Sequence, residues 1–382
     1  MKWTDVVLSG ILLALAAGCS TPSSPQWMVC ANDQRHTQVD GNNRVYEDAK
    51  PGSLTLMDVS SGLPRTVETL ENVPCSLIGP PTCVAVAPSQ KFALVAAAQK
   101  VDPDNPSEQI PDNKLSVVRL EKGAHEVFQT LELGVQTSGV EISRDGTRAL
   151  ITNRGEGTIT LLELNDEGVV KVLGTFKVSD EKSNVSHAAF SPDGSLAIAT
   201  LQNHDAVALL SLKGDQINVV QQIEVGDGPY CVEFLGSGDF AVVANALGGS
   251  LMLVEVKPKG IKVVDTIPVG IVPEGIDISP DGKWMVANCL ENTSRKPTVP
   301  SRRQTGMLVL MEKQGQTFVT VDVARIGRIP QTAVFTPDSR FVAVGSNENQ
   351  DITFFKIKNG ELKPTGIQVP CSGGPAAMRI AN

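Results

Sequence analysis

Few residues in this chain are equipped for chemistry. Its four histidines are His36, His125, His187 and His204, and only His187 sits in a strand-like stretch, Ser186-His187-Ala188-Ala189-Phe190, just ahead of Ser-Pro-Asp-Gly. An imidazole there could serve as general base toward a water, and Glu274, at the start of a later stretch of the same kind, could do the same. Arg154 and Arg379 could hold a carboxylate or a developing oxyanion. Glu233 and Asp277 could orient the base, and Tyr230 occupies the place of Glu274 one stretch earlier. Asn32, Asn153, Asn245, Asn288 and Asn347 close the stretches that follow. Asn commonly ends strands and caps turns, but Asn153, Asn245 and Asn288 could also contact substrate. With carboxylate oxygens, such residues would suit a Ca²⁺-type cation. Cys83, His187 and Cys231 share a register and could take a softer metal. No local metal motif supports either ion, and GxSxG, HExxH, CxxC and Gly-rich phosphate loops are absent. The expectation is chemistry with no required cofactor.

The elements that must position these residues repeat. PEGIDISPDGKWMVAN at Pro273–Asn288 reads as a short strand, a Ser-Pro-Asp-Gly turn and a second strand. Closely similar phrases occur at Ser138–Asn153, Ser186–Thr200 and Pro330–Asn347, and degraded ones at Pro81–Ala98 and Pro229–Asn245. Ser143 and Ser191 lie 48 residues apart, and Ser191 and Ser279 lie 88 apart with a degraded copy between. Two further strands follow each hairpin, for example Thr158–Leu164 and Val169–Val178. A period of roughly 40–50 residues with only strand signals describes four-stranded propeller blades. The chain is expected to be all-β, a seven-bladed β-propeller over 26–382. The blades are 26–75 with 374–382, then 76–134, 135–182, 183–225, 226–270, 271–328 and 329–373. Pairing the C-terminal stretch with the N-terminal blade closes the ring and removes an open edge.

Aligning the inner strands on the turn gives one channel-facing register of Cys83, Gly139, His187, Cys231, Gly275, Thr332 and Ala377. Two residues on come Ala85, Glu141, Ala189, Glu233, Asp277, Val334 and Arg379. The charges imply a polar channel. Long inserts at Asp33–Gly52, Gln99–Lys114 and Leu290–Gly306 all fall between second and third strands, on the face where inner strands begin. Inserts gathered on one face mark that mouth as the expected binding site.

Net charge of −9 argues against nucleic acid as a partner. Lys2, the apolar run Val6–Gly18 and Leu15-Ala16-Ala17-Gly18-Cys19 have the layout of a signal peptide. The small residues before Cys19 resemble a bacterial lipobox, so 1–19 is expected to direct export, Cys19 to be lipidated, and 20–25 to be a tether. The protein would then be periplasmic or a membrane-anchored lipoprotein, touching the membrane through that lipid only. It is expected to be a monomer. Six cysteines remain, and Cys75 and Cys83 flank a turn that would allow a local disulfide, with free buried thiols the alternative.

The repeats SPDGSLAIAT, SRDGTRALITNRGEGTITLLEL and SPDGKWMVAN resemble YVTN-type β-propeller repeats and the lactonase/muconate-cyclase family of seven-bladed propellers, over nearly the whole mature chain. Ser186-His187-Ala188-Ala189-Phe190-Ser191 is similar to the His-Ala-Ala-Val-Phe strand of members with lactonase activity. Where those members usually show Gly-Pro-Arg-His and later Asn-Glu, this chain reads Gly228-Pro229-Tyr230-Cys231 and Asn245-Ala246. Asn153-Arg154-Gly155 matches the family's Asn-Arg-Gly in an earlier blade. The resemblance implies a lactonase or cycloisomerase acting at the channel mouth. Export separates it from cytosolic sugar phosphates, so the expected substrate is a non-phosphorylated lactone or organic acid. The competing expectation is a non-catalytic envelope propeller that binds a protein, glycan or small ligand through its inserts.

Overall fold

The structure, a computed structural model, describes residues 24–65, 67–121 and 123–381. The leader, tether and Cys19 calls fall almost wholly outside these residues. Seven four-stranded antiparallel sheets stand as blades around a central channel. In each complete repeat the chain runs outward, so the fourth blade consists of Val185–Phe190, Leu196–Leu201, Ala206–Lys213 and Gln216–Glu224. The first blade is composite. Gly374–Ile380 pairs with Trp27–Asp33, followed by Ser53–Asp58 and Val67–Glu71. The closure read from the two termini is the one observed.

The Ser-Pro-Asp-Gly signature works through its side chains. Ser191 Oγ donates to Asp193 Oδ1 at 2.6 Å and accepts from Leu196 N at 3.0 Å, which ties the turn to the second strand. Ser143, Ser279 and Thr336 repeat the bond to their acids. Gly194 takes φ +69°, a value costly for other residues. Buried Val, Ile, Leu and Ala from facing sheets fill the space between blades, in clusters such as Ala189, Ile198, Val207, Val232, Ala241 and Val243. Phe92, Phe335 and Phe354 are among the few large aromatic side chains fully buried.

Two expectations need correction. The Cys75–Cys83 disulfide is not formed: all six described cysteines are free thiols, and Cys75 Sγ donates to the Asn32 carbonyl at 3.0 Å. The inserts also carry more structure than loops. Asp33–Gly52 contains a hairpin, His36–Val39 with Asn42–Val45, while much of Gln99–Lys114 prolongs its two strands as far as Val101↔Gln109.

Candidate functional site

The inner strands of blades three to seven each carry a β-bulge near their start. A bulge leaves residues out of the ladder and re-aims their side chains. Tyr230, Glu274 and Gln331 are the residues skipped in blades five, six and seven. They sit at the insert-side mouth with Arg154, which follows the second strand of blade three.

Arg154 is held in a fixed plane. Its Nε donates to Asn184 Oδ1 at 2.6 Å and its Nη2 to Gln202 Oε1 at 3.0 Å. Gln202 Oε1 also accepts from Asn184 Nδ2 at 2.6 Å and from the Ser186 hydroxyl at 3.2 Å. Nη1 has no partner among the described residues. The Tyr230 phenol lies beside this guanidinium with Glu274 close to it, and Gln331 stands against Glu274. Burial pushes the Glu274 carboxyl up to about 8. Burial also raises Tyr230 above the usual phenol range and lowers Arg154. Gly79, at φ +126°, brings a loop against the group: a Cβ there would stand 2.7 Å from Ser138 Oγ and 3.3 Å from Arg154 Nη1. Tyr230 and Glu274 both keep part of their surface exposed.

The three inserts are joined into a roof on this face. Asp33 Oδ1 accepts from Arg35 N at 2.7 Å, and its Oδ2 accepts from Leu77 N at 2.7 Å. Arg35 Nη1 donates to the Gln99 carbonyl of the second insert at 2.6 Å. Gly41 N, at the hairpin tip, donates to the Ser294 carbonyl of the third at 2.6 Å.

One layer deeper stand Gly139, His187, Cys231, Gly275 and Thr332. His187 is fully buried, and its Nδ1 accepts from Val232 N at 3.3 Å. Burial first, and the Arg379 charge second, lower its pKa to about 3. The imidazole is therefore neutral with its proton on Nε2, an atom that has no partner. That geometry makes His187 a hydrogen-bond donor and removes it from the role of general base. Cys231 Sγ donates to the Glu274 carbonyl at 2.8 Å, and burial pushes the Cys83 thiol up to about 12. Among the described residues no three His, Cys, Asp or Glu side chains lie close enough to share a metal ion.

The third layer gathers Glu141, Glu233, Asp277 and Arg379, as the inner-strand register indicates. Arg379 Nη2 donates to Glu233 Oε1 at 3.3 Å, and Asp277 Oδ2 accepts from Phe335 N at 2.6 Å. Burial followed by the Glu233 charge raises Glu141 to about 8 and Asp277 to about 7. A cavity of about 340 Å³ meets this layer and opens at the turn face, away from the inserts. Glu233, Asp277 and Arg379 thus come together, but the His187 layer separates them from Arg154, Tyr230 and Glu274. A hollow of about 450 Å³ between blades six and seven is lined by charges already paired, Lys283 with Glu312 and Arg340 with Asp338.

The asparagines hold the scaffold. Asn153 Nδ2 donates to Thr158 Oγ1 at 2.9 Å and Thr160 Oγ1 at 3.0 Å, and Asn245 Nδ2 to Ser250 Oγ at 3.4 Å. Asn288 lies one register place earlier, and its Nδ2 crosses to the Pro330 carbonyl of the next blade at 2.7 Å. All three are fully buried. Sequence reasoning missed Asn184, Gln202 and Gln331. The signal available was positional, since Gln202 follows its strand where Arg154 follows its own.

Solved structures similar to this one include a candidate 6-phosphogluconolactonase of Bacteroides uniformis, at 16% identity and TM-score 0.70, covering 93% of this chain and 99% of that one. A second candidate 6-phosphogluconolactonase, from Bacteroides fragilis, matches at 15% identity and TM-score 0.69, over 95% and 99% of the two chains. A periplasmic gluconolactonase of Pseudomonas aeruginosa matches at 17% identity and TM-score 0.67, over 93% and 99%. The chain has the fold of lactonase-type propellers. No family model and no curated protein matches it. The lactonase-type fold agrees with the resemblance carried by the repeats, and at these identities it speaks for architecture alone.

Proposed function

We propose that this is an exported propeller of lactonase type, which opens or forms the internal ester of a small, non-phosphorylated organic acid at the insert-side mouth. One observation carries the reading: a fixed, half-satisfied Arg154 guanidinium faces Tyr230 beside a Glu274 carboxyl held at about 8. The ionised Glu274 takes a proton from water as the water oxygen bonds to the lactone carbonyl carbon. The Tyr230 hydroxyl, with the buried Arg154 charge behind it, stabilises the resulting oxyanion. The ring C–O bond then breaks, and protonated Glu274 returns its proton to the leaving alkoxide. Run backward, the same steps close a lactone. Nothing in this scheme requires a cofactor.

The leader-like 1–19 supports export and a lipid anchor at Cys19, and with them a substrate met outside the cytosol. The similarity to a periplasmic gluconolactonase supports a sugar lactone. A second reading, an envelope scaffold that binds a protein partner, is favoured by the continuous roof of three inserts.

The test is hydrolysis of a panel of γ- and δ-lactones by the chain lacking residues 1–19, with and without EDTA. Turnover should rise with pH through a midpoint near 8 and fall 10²–10⁴-fold in Glu274→Gln. Full turnover in that variant refutes the mechanism. No turnover on any lactone favours the scaffold, with envelope pull-down as the next measurement, and an effect of EDTA would call for a Ca²⁺-type ion.

A further inference from the structure

The turn-face cavity lies outside the proposed mechanism, and its wall has a definite composition. One side is apolar: Ile142, Phe190, Phe234, Ile278 and Ile380, with Phe335 buried behind them. At its back Glu141, Glu233 and Asp277 converge from blades three, five and six on Arg379 from blade one. One guanidinium faces three carboxyls, and its only side-chain bond to them goes to Glu233. Asp277 has one oxygen engaged by a backbone amide. The half-buried Glu141 carboxyl makes no side-chain hydrogen bond among the described residues and lines the cavity beside Arg379. Behind these groups His187 is neutral and the Cys231 thiol is committed to a carbonyl, and Arg144 stands exposed at the rim.

A carboxyl in a confined, largely apolar site with no hydrogen-bond partner favours its protonated form unless a cation stands against it. Burial has pushed Glu141 in the first direction. A ligand cation would supply the missing charge, and Phe rings suit an apolar body next to an ammonium head. A concave, mostly apolar pocket with a few converging polar groups is the usual form of a small-molecule site.

We infer that the turn-face cavity is a second binding site, for a small organic ammonium with an apolar body, held by Glu141 and Asp277 against the side formed by Phe190, Phe234 and Ile278. It is independent of the insert-side mouth. The ligand enters by the face that carries the Ser-Pro-Asp-Gly turns.

Isothermal titration of the intact propeller with benzylamine, benzyl alcohol and benzoate tests the inference. Benzylamine should bind and the other two should not. Its binding should release protons, so that it is about tenfold tighter at pH 8 than at pH 6. Glu141→Gln should weaken it about tenfold, while Glu274→Gln at the opposite mouth should leave it unchanged. Equal binding of benzyl alcohol or benzoate, no binding of benzylamine, or no response to Glu141→Gln in a variant of native circular dichroism would each overturn the inference. Lactone turnover plays no part in these readouts, so this site can fail while the mouth mechanism stands, or stand while it fails.

Discussion

At the insert end of the channel a guanidinium, a phenol and a carboxyl are set in place by amide side chains under a roof of joined inserts. At the turn end three carboxyls surround one guanidinium at the back of an open cavity. Both ends hold acids raised by burial, Glu274 at one and Glu141 and Asp277 at the other. They differ in what completes them. The mouth has a half-exposed phenol, Tyr230, backed by the buried Arg154 charge, a pairing suited to negative charge that develops during a reaction. The cavity has an excess of acids, suited to a ligand that arrives positive. Opposite polarity at two ends of one channel argues for two jobs.

The largest effect should separate the ends kinetically. Glu274→Gln should remove 10²–10⁴ of lactone turnover, while Glu141→Gln should act mainly on stability and on amine binding. Equal rate losses from both would merge the two regions into one site.

Stability against pH comes next. A carboxyl raised in the folded state binds more protons folded than unfolded, so its contribution is fully present below its unfolded pKa and is lost as pH rises through the folded value. For Glu141, Glu274 and Asp277 that window runs from about 4 to about 8. His187 acts in the opposite sense, because its lowered pKa adds stability as pH rises from about 3 to about 6.5. Of these four groups only the acids still titrate above pH 6.5, and the buried thiols, raised in the folded state, add in the same sense near pH 9, so thermal melting should fall between pH 6.5 and 9. Glu141→Gln should flatten that fall, and a melting temperature that climbs over this range would contradict the assignment.

Smaller effects should follow from the way each end is held together. Asn153→Ala leaves Thr158 and Thr160 without their buried donor and should cost about 1–3 kcal/mol in chemical denaturation. Asp193→Asn, in an exposed turn whose acid is lowered first by Ser191, should cost under about 1 kcal/mol. That loss should vanish as pH falls through the pKa of the native acid. A larger loss at Asp193 than at Asn153 would reverse the ranking.

The deep layer was legible because it obeys the two-residue alternation of a strand: the Glu141, Glu233, Asp277 and Arg379 column follows directly from aligning turns. Ring closure was legible because the two ends of the chain are complementary fragments of one repeat. The mouth was less so. Bulges interrupt the alternation where Tyr230, Glu274 and Gln331 project, and a bulge leaves little trace in residue types. The Asn positions show the same limit. Asn245 and Asn288 read as one column, yet a one-residue difference in register turns them toward different neighbours. The union of the inserts into a roof rests on backbone bonds such as Gly41 to Ser294, which residue types do not announce.

The composite first blade has a consequence in time. Blades two to seven are each made of consecutive strands, so each has all its strands once its own stretch is synthesised. Trp27–Asp33 must wait, its inner edge open, for the final strand. That same strand brings Arg379, the counter-charge to Glu141, Glu233 and Asp277. Topological completion and neutralisation of the deep acids are thus one event, and a nascent chain stalled before Gly374 would carry both an exposed strand edge and an uncompensated acidic core, two marks by which an unfinished molecule differs from a finished one.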